Sequence, residues 1–131
     1  ERYAVQVVKH NHEAKESVKF LNQSQTPYKK KNWSSVMLMN CNRCKALTPD
    51  YVNSASGLEL HQFKWIENDK LIGNIDKRWN YLAGVDPVIA ETDISNIHYT
   101  IGGPYFESSK NCDYADIWLA EQKLMLHAEN I

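Results

Sequence analysis

Tyr3-Ala4-Val5-Gln6-Val7-Val8-Lys9 is the stretch whose reading decides the fold. It is short, rich in β-branched residues and followed by polar sequence, which predicts a strand with a buried face. Such a strand normally sits inside a sheet whose other strands come from earlier sequence, so its place at the start of the chain is unexpected. The first residue, Glu1, is not Met, so the chain is expected to begin inside a longer reading frame or after removed residues.

Working outward, His10 to Gln25 is polar, with a weak helix or ordered loop expected around Glu13 to Leu21. Thr26-Pro27-Tyr28 breaks any helix there. Ser34 to Asn40 (Ser-Ser-Val-Met-Leu-Met-Asn) is a compact apolar run, predicted as a second buried strand, and Asn40 to Lys45 as a turn. Thr48-Pro49-Asp50 is a helix start, because Thr48 can cap and Pro49 fits the first helical position. That helix is expected to reach about Ser56 and to end at Gly57, with a second short helix over Leu58 to Trp65. After the polar turn at Glu67-Asn68-Asp69-Lys70, the segment Leu71 to Ile75 leads to Trp79-Asn80 and a Gly84/Pro87 loop. Asn96 to Ile101 is predicted as a third strand, ending in Gly102-Gly103-Pro104. A last helix is expected from Cys112-Asp113 through about His127, with Ala115, Trp118, Leu119, Gln122 and Leu126 at helical spacing.

No repeat, low-complexity tract or linker interrupts this order. The expectation is one α/β domain over residues 1–131, a small mixed sheet with flanking helices. Three strands make a thin sheet for this length. That suits a half-domain, or a piece that completes its sheet as a homo-oligomer through an exposed edge.

Composition narrows the classes. A chain of 131 residues supports one hydrophobic core. Its charges nearly cancel, to a net −1, which argues against nucleic acid or a membrane surface as partner. The run Lys29-Lys30-Lys31, with Lys9 and Lys19 upstream, reads as a solvated loop. No stretch approaches the ~20 apolar residues of a membrane span, and no signal peptide is visible. The odd set Cys41, Cys44 and Cys112 suits reduced thiols in a cytoplasmic protein. Trp33, Trp65, Trp79 and Trp118 indicate a well-filled core before they indicate a carbohydrate-stacking surface.

The strongest local feature for chemistry is His98-Tyr99-Thr100-Ile101-Gly102-Gly103-Pro104-Tyr105-Phe106. A strand delivers a histidine, and a Gly-Gly-Pro turn follows at once. Glycines let a backbone approach a phosphate and expose its N–H groups, and a histidine at a strand end can ligate a divalent metal. On spacing alone the segment equally describes a buried histidine before a tight turn. Cys41-x-x-Cys44 is open to three readings: a zinc half-site completed by Cys112 with His10, His12 or His98, a redox pair, or an accidental pair in a loop.

The segment from His98 resembles the glycogenin and lipopolysaccharide-galactosyltransferase group. That family carries, near its C-terminus, a strand with His-x-x-Gly-x-x-Lys-Pro-Trp. The resemblance rests on His98, Gly102-Gly103, Pro104 and the aromatic Tyr105. Here the first glycine sits one residue late, the proline one residue early, and no lysine precedes Pro104. Asn32-Trp33-Ser34-Ser35-Val36-Met37-Leu38-Met39-Asn40 looks like the family's Phe-Asn-Ser-Gly-Val-Met-Leu-Ile-Asn strand along the donor and acceptor sites. Asn53 to Trp65 falls where the family has its Asp-Gln-x-x-Leu-Asn helix, and Trp79-Asn80 looks like its Trp-Asn after a Leu-Pro turn. The resemblance covers roughly Tyr3 to Trp118.

It implies part of the nucleotide-diphospho-sugar transferase (GT-A) fold, with the N-terminal nucleotide-binding half and its Asp-x-Asp motif lacking from this sequence. It implies a transferase moving a hexose from a nucleotide sugar to a hydroxyl of a carbohydrate acceptor, with Mn²⁺ or Mg²⁺ in the intact enzyme. His98 becomes the metal ligand. Glu59, His61 and Gln62 take the catalytic positions near the acceptor and the anomeric face. Lys9, His10, Asn40, Trp79, Asn80, Gly102, Gly103 and Pro104 become substrate-binding residues. This chain by itself is expected to be inactive and to hold no metal. The competing reading is a non-enzymatic binding or self-assembling module.

Overall fold

The structure, a computed structural model, describes residues 2–11 and 29–128. It is a mixed α/β arrangement with small sheets and few helices. The described residues divide into two compact units, one of residues 2–11 and 29–80, the other of residues 81–128. The expected helix or loop around Glu13 to Leu21 lies outside the described residues.

In the first unit, β1 (Val5–Val7) is the middle of a three-stranded sheet. β2 (Leu38–Met39) runs antiparallel to it, with Val5 opposite Met39. β3 (Ile72–Asn74) runs parallel on the other side, with Val7 opposite Asn74. The strand period of two turns Val5 and Val7 into the core and Gln6 to the opposite face. Each buried valine contributes roughly 1.5–3 kcal/mol. They join Ala4, Cys44, Phe63, Ile66 and Ile72, with Trp33, Leu47, Trp65 and Leu71 packed around them.

Only part of the expected second strand forms. Asn32, in the left-handed region (φ 62), winds Trp33–Ser35 into a 3-10 turn, and pairing starts at Leu38. β2 is an edge strand rather than a buried one: Leu38 is 60% exposed, and Met37 and Met39 are exposed too. β3 falls in the segment Leu71 to Ile75, where the sequence predicts only a passage to Trp79-Asn80. Its Gly73 hides the strand signal and is needed for space, because a Cβ there would fall 2.6 Å from the Tyr3 ring.

Helix α1 (Pro49–Ser54) starts as expected, with the Thr48 hydroxyl accepting from the Tyr51 N–H at 3.2 Å. Gly57 does not stop the helical region; it opens α2 (Gly57–His61). The reason is a capping box. The Ser56 hydroxyl accepts from the Glu59 N–H at 3.2 Å, and the Glu59 carboxylate accepts from the Ser56 N–H at 3.0 Å. α2 stops short of Trp65 because Phe63 takes a left-handed conformation (φ 58). That costs roughly 1–3 kcal/mol for a bulky residue, offset by the full burial of its ring.

The lysine run is not a solvated loop. Lys31 is buried, and the half-buried Lys30 donates to the Gln62 carbonyl at 3.0 Å and to Asp69 at 2.7 Å.

In the second unit, β4 (Tyr81–Leu82) pairs in parallel with β5 (Ile97–His98), which is shorter than the strand expected over Asn96 to Ile101. Tyr81, Leu82 and Ala83 are buried. Helix α3 (Ala115–Ala128) begins after Cys112-Asp113, because Tyr114 sits in the left-handed region (φ 59) and cannot belong to its first turn. Of the residues expected at helical spacing on α3, Ala115 and Trp118 are partly buried, whereas Leu119, Gln122 and Leu126 are exposed, as are Leu124 and Met125. Among the described residues no helix is long and apolar enough to cross a membrane.

Phe63→Ala is expected to cost about 3–5 kcal/mol of stability in urea denaturation, whereas Leu58→Ala, at an exposed position, should cost under ~0.5 kcal/mol. Equal losses would contradict this account of the core.

Candidate functional site

The three strands of the first unit place a group of polar side chains at one end of the sheet. Lys9 and His10 follow β1; Asn32 to Ser35 precede β2, which is antiparallel; Asn80 follows β3, which is parallel. All three stretches therefore leave the sheet on the side where β1 ends.

They meet at the Trp33–Ser35 turn. Asn80, fully buried, donates from its side-chain amide to the Asn32 carbonyl at 3.3 Å and to the Ser35 hydroxyl at 2.8 Å. Ser35 Oγ in turn donates to the Asn32 carbonyl at 2.6 Å. The Trp33 indole N–H donates to the His10 carbonyl at 2.8 Å. The Lys9 ammonium stands 5.7 Å from the centre of the Trp33 ring, within cation–π range. From α2, His61 brings Nδ1 to 2.6 Å from the Ser34 hydroxyl. With Ser34 donating, the ring proton sits on Nε2, leaving that nitrogen as a hydrogen-bond donor.

Lys9 and His10, His61, and Asn80 are thus brought to one turn from three separate stretches. Asn32, Ser34 and Ser35 were not singled out. Their run was read as strand, although Asn and Ser around a tryptophan are also turn formers.

The other sequence-selected residues of this unit lie elsewhere. The exposed Glu59 carboxylate is engaged in the capping box, and the Ser56 N–H and then its hydroxyl hold the carboxyl below its ordinary range. Gln62 caps the end of α2. The Asn40 side chain accepts from the Asn42 N–H at 3.2 Å and caps the Cys41–Arg43 turn. Asn40 also lines a cavity of about 610 Å³ beside β2, with Tyr3, Gln6, Leu38, Met39 and Arg43. Trp79 is 53% exposed. The Cys44 thiol is pushed up by burial and then by Cys41, and it donates to the Ala4 carbonyl at 3.3 Å.

His98, Gly102, Gly103 and Pro104 belong to the second unit. His98 lies on β5 opposite Leu82, and its carbonyl accepts from the N–H groups of Ala83 and Thr100. Gly102 takes φ 143, which favours glycine, and a Cβ on Gly103 would collide with the Tyr105 ring. The glycine pair thus makes a tight turn and room for Tyr105, whose ring packs at a tilt against Phe106 and Trp118 at 4.7 and 5.2 Å between ring centres. Among the described residues no three His, Cys, Asp or Glu side chains gather. A single imidazole does not hold a divalent ion, so His98 is at most one ligand of a site completed by other residues.

A tyrosine cluster organises this unit. The Tyr81 hydroxyl donates to the Pro87 carbonyl at 2.6 Å, Tyr114 donates to the Ile89 carbonyl at 2.8 Å, and Tyr99 to the Tyr114 carbonyl at 2.7 Å. Burial pushes the Tyr99 phenol up to about 12, with Cys112 and Asp116 adding to it.

Protein CDI of Arabidopsis thaliana is similar to this chain, at 41% identity over 128 residues. The match takes in 94% of this chain and 49% of that protein, so the chain spans about half the length of the curated relative it matches. No protein-family model matches the chain, and no solved structure matches it.

Two outcomes follow for the variants and the pH profile. Asn80→Ala should lose about 1–3 kcal/mol, because it strips the turn of two buried hydrogen bonds. It should also shift the Trp33 indole N–H resonance; an unmoved indole would show that Asn80 does not hold the turn. Tyr99, whose folded pKa lies above the ordinary value near 10, favours the folded state below that value. Stability should fall as pH rises from about 10 to 12, where the unfolded phenol ionises first. Tyr99→Phe should remove part of that fall in urea titrations read by circular dichroism.

Proposed function

We propose that this chain is the acceptor-side part of a nucleotide-sugar-dependent glycosyltransferase that moves a hexose to a hydroxyl acceptor. The observation that carries the reading is the Trp33–Ser35 turn, where Lys9, His10, Ser34, His61 and Asn80 converge at one end of the sheet. Open α/β sheets bind ligands beyond the carboxyl ends of their parallel strands, and β1 and β3 both end here.

The chemistry of this reading assigns work to these groups. The acceptor hydroxyl has to be oriented toward the anomeric carbon. Hydrogen-bonding groups on a rigid turn, with the His61 ring fixed by Ser34, suit that task. The Trp33 ring and the Lys9 ammonium suit a polar ligand with an apolar face. Glu59 enters this proposal as a support of α2 rather than as a reacting carboxylate, because its oxygen is held by Ser56. The GT-A fold, Mn²⁺ or Mg²⁺ ligation through His98 and diphosphate contact by Gly102, Gly103 and Pro104 belong to the same proposal, as does a cytoplasmic location. The described residues alone do not make a metal site, and the sequence carries no Asp-x-Asp.

Titrating UDP, GDP and ADP with Mn²⁺ into this chain should give weak binding, without saturation in the micromolar range. In a longer chain that includes an Asp-x-Asp loop, binding should tighten and be lost in His98→Ala. Tight binding by this chain alone would contradict the proposed division of the site.

A second reading, a self-assembling module, is favoured by one observation: the open β2 edge, with Met37, Leu38 and Met39 exposed. It requires dimers in sedimentation that Leu38→Lys dissolves. A monomer at every concentration would eliminate it.

A further inference from the structure

The near-zero net charge of the chain conceals two opposite ones. Among the described residues of the second unit, seven carboxylates stand against Lys110 and Lys123. The described residues of the first unit are the reverse, with eleven lysines and arginines against five carboxylates.

The acidic unit contains a groove of about 560 Å³. Ile97, Ile117 and the rings of Tyr99 and Trp118 line it, together with Glu91 and Glu121. The two carboxylates come from different elements, the Glu91–Asp93 turn and α3. No lysine or arginine lines the groove. The Tyr99 hydroxyl is already given to the Tyr114 carbonyl, so what Tyr99 offers a ligand is its ring. Burial first, then Cys112 and Asp116, push its phenol up.

Aromatic faces and carboxylates together select a large, weakly hydrated cation. A hard metal ion instead needs several oxygens closing round it at short range, and no three such side chains gather among the described residues. A neutral sugar could use the two carboxylates only as hydrogen-bond acceptors, without the salt dependence that a cation brings. We propose that this groove binds an organic cation, a quaternary ammonium on a small apolar body, held by Glu91 and Glu121 against the Tyr99 and Trp118 rings. The site stands independently of the glycosyltransferase reading.

The test is a titration of the 131-residue chain with choline and with its neutral isostere 3,3-dimethylbutan-1-ol. The readout is the Trp118 indole N–H resonance, assigned with Trp118→Phe. Choline should give a saturable shift that weakens as salt is raised, and the isostere should give none. Glu91→Gln with Glu121→Gln should weaken choline by about tenfold or more. Both side chains are exposed, so the double variant is expected to fold, and its amide spectrum checks that. Equal binding of the isostere, displacement of choline by a methyl glucoside, or no shift in the intact chain would each overturn the proposal.

Discussion

β1 is hydrogen-bonded on both sides, and the geometry of the Trp33–Ser35 turn depends on that double pairing. On one side the Asn40 N–H donates to the Ala4 carbonyl at 2.9 Å; on the other the Ala4 N–H donates to the Leu71 carbonyl at 2.8 Å and Ile75 to Val7 at 3.0 Å. One neighbour is antiparallel and the other parallel. Because of that mixture, the chain entering β2 and the chain leaving β3 stand at the same end of the sheet. Asn80 can then reach Asn32 and Ser35, and Trp33 can reach His10. Two parallel neighbours would have sent the entrance of β2 to the far end.

The turn is built to be rigid. Its capping carbonyl at Asn32 accepts from Asn80 and from Ser35, and its tryptophan is tied by the indole nitrogen. A buried amide with two such donations is costly to displace, since a freed donor would remain without water. Rigidity of this kind is what an orienting site needs.

Much of this was legible in the sequence, and the rest was hidden for local reasons. The β-branched run at Val5 to Val8 announced the central strand, and Thr48-Pro49 announced α1. Ser56-x-x-Glu59 is equally a written signal, but Gly57 beside it suggested a stop where a new helix begins. β3 was obscured by Gly73, whose absent side chain makes space for Tyr3. The Trp33–Ser35 turn was obscured by the apolar residues after it, which extended the apparent strand back to Ser34. Lys9, His10, His61 and Asn80 were picked from sequence, but their meeting point was not readable, since it depends on pairing between segments tens of residues apart. The opposed charges of the two units were invisible for a different reason: they cancel in the total.

In the proposed function, the Trp33–Ser35 turn receives the acceptor sugar. A heteronuclear NMR titration of this chain with a series of methyl hexosides tests it most directly. The account predicts that the largest amide and side-chain shifts fall on Ser34, Ser35, His61, Lys9 and the Asn80 amide, and that Ser34→Ala diminishes them. Shifts concentrated on residues of the second unit, or shifts at the turn that Ser34→Ala leaves unchanged, would contradict it.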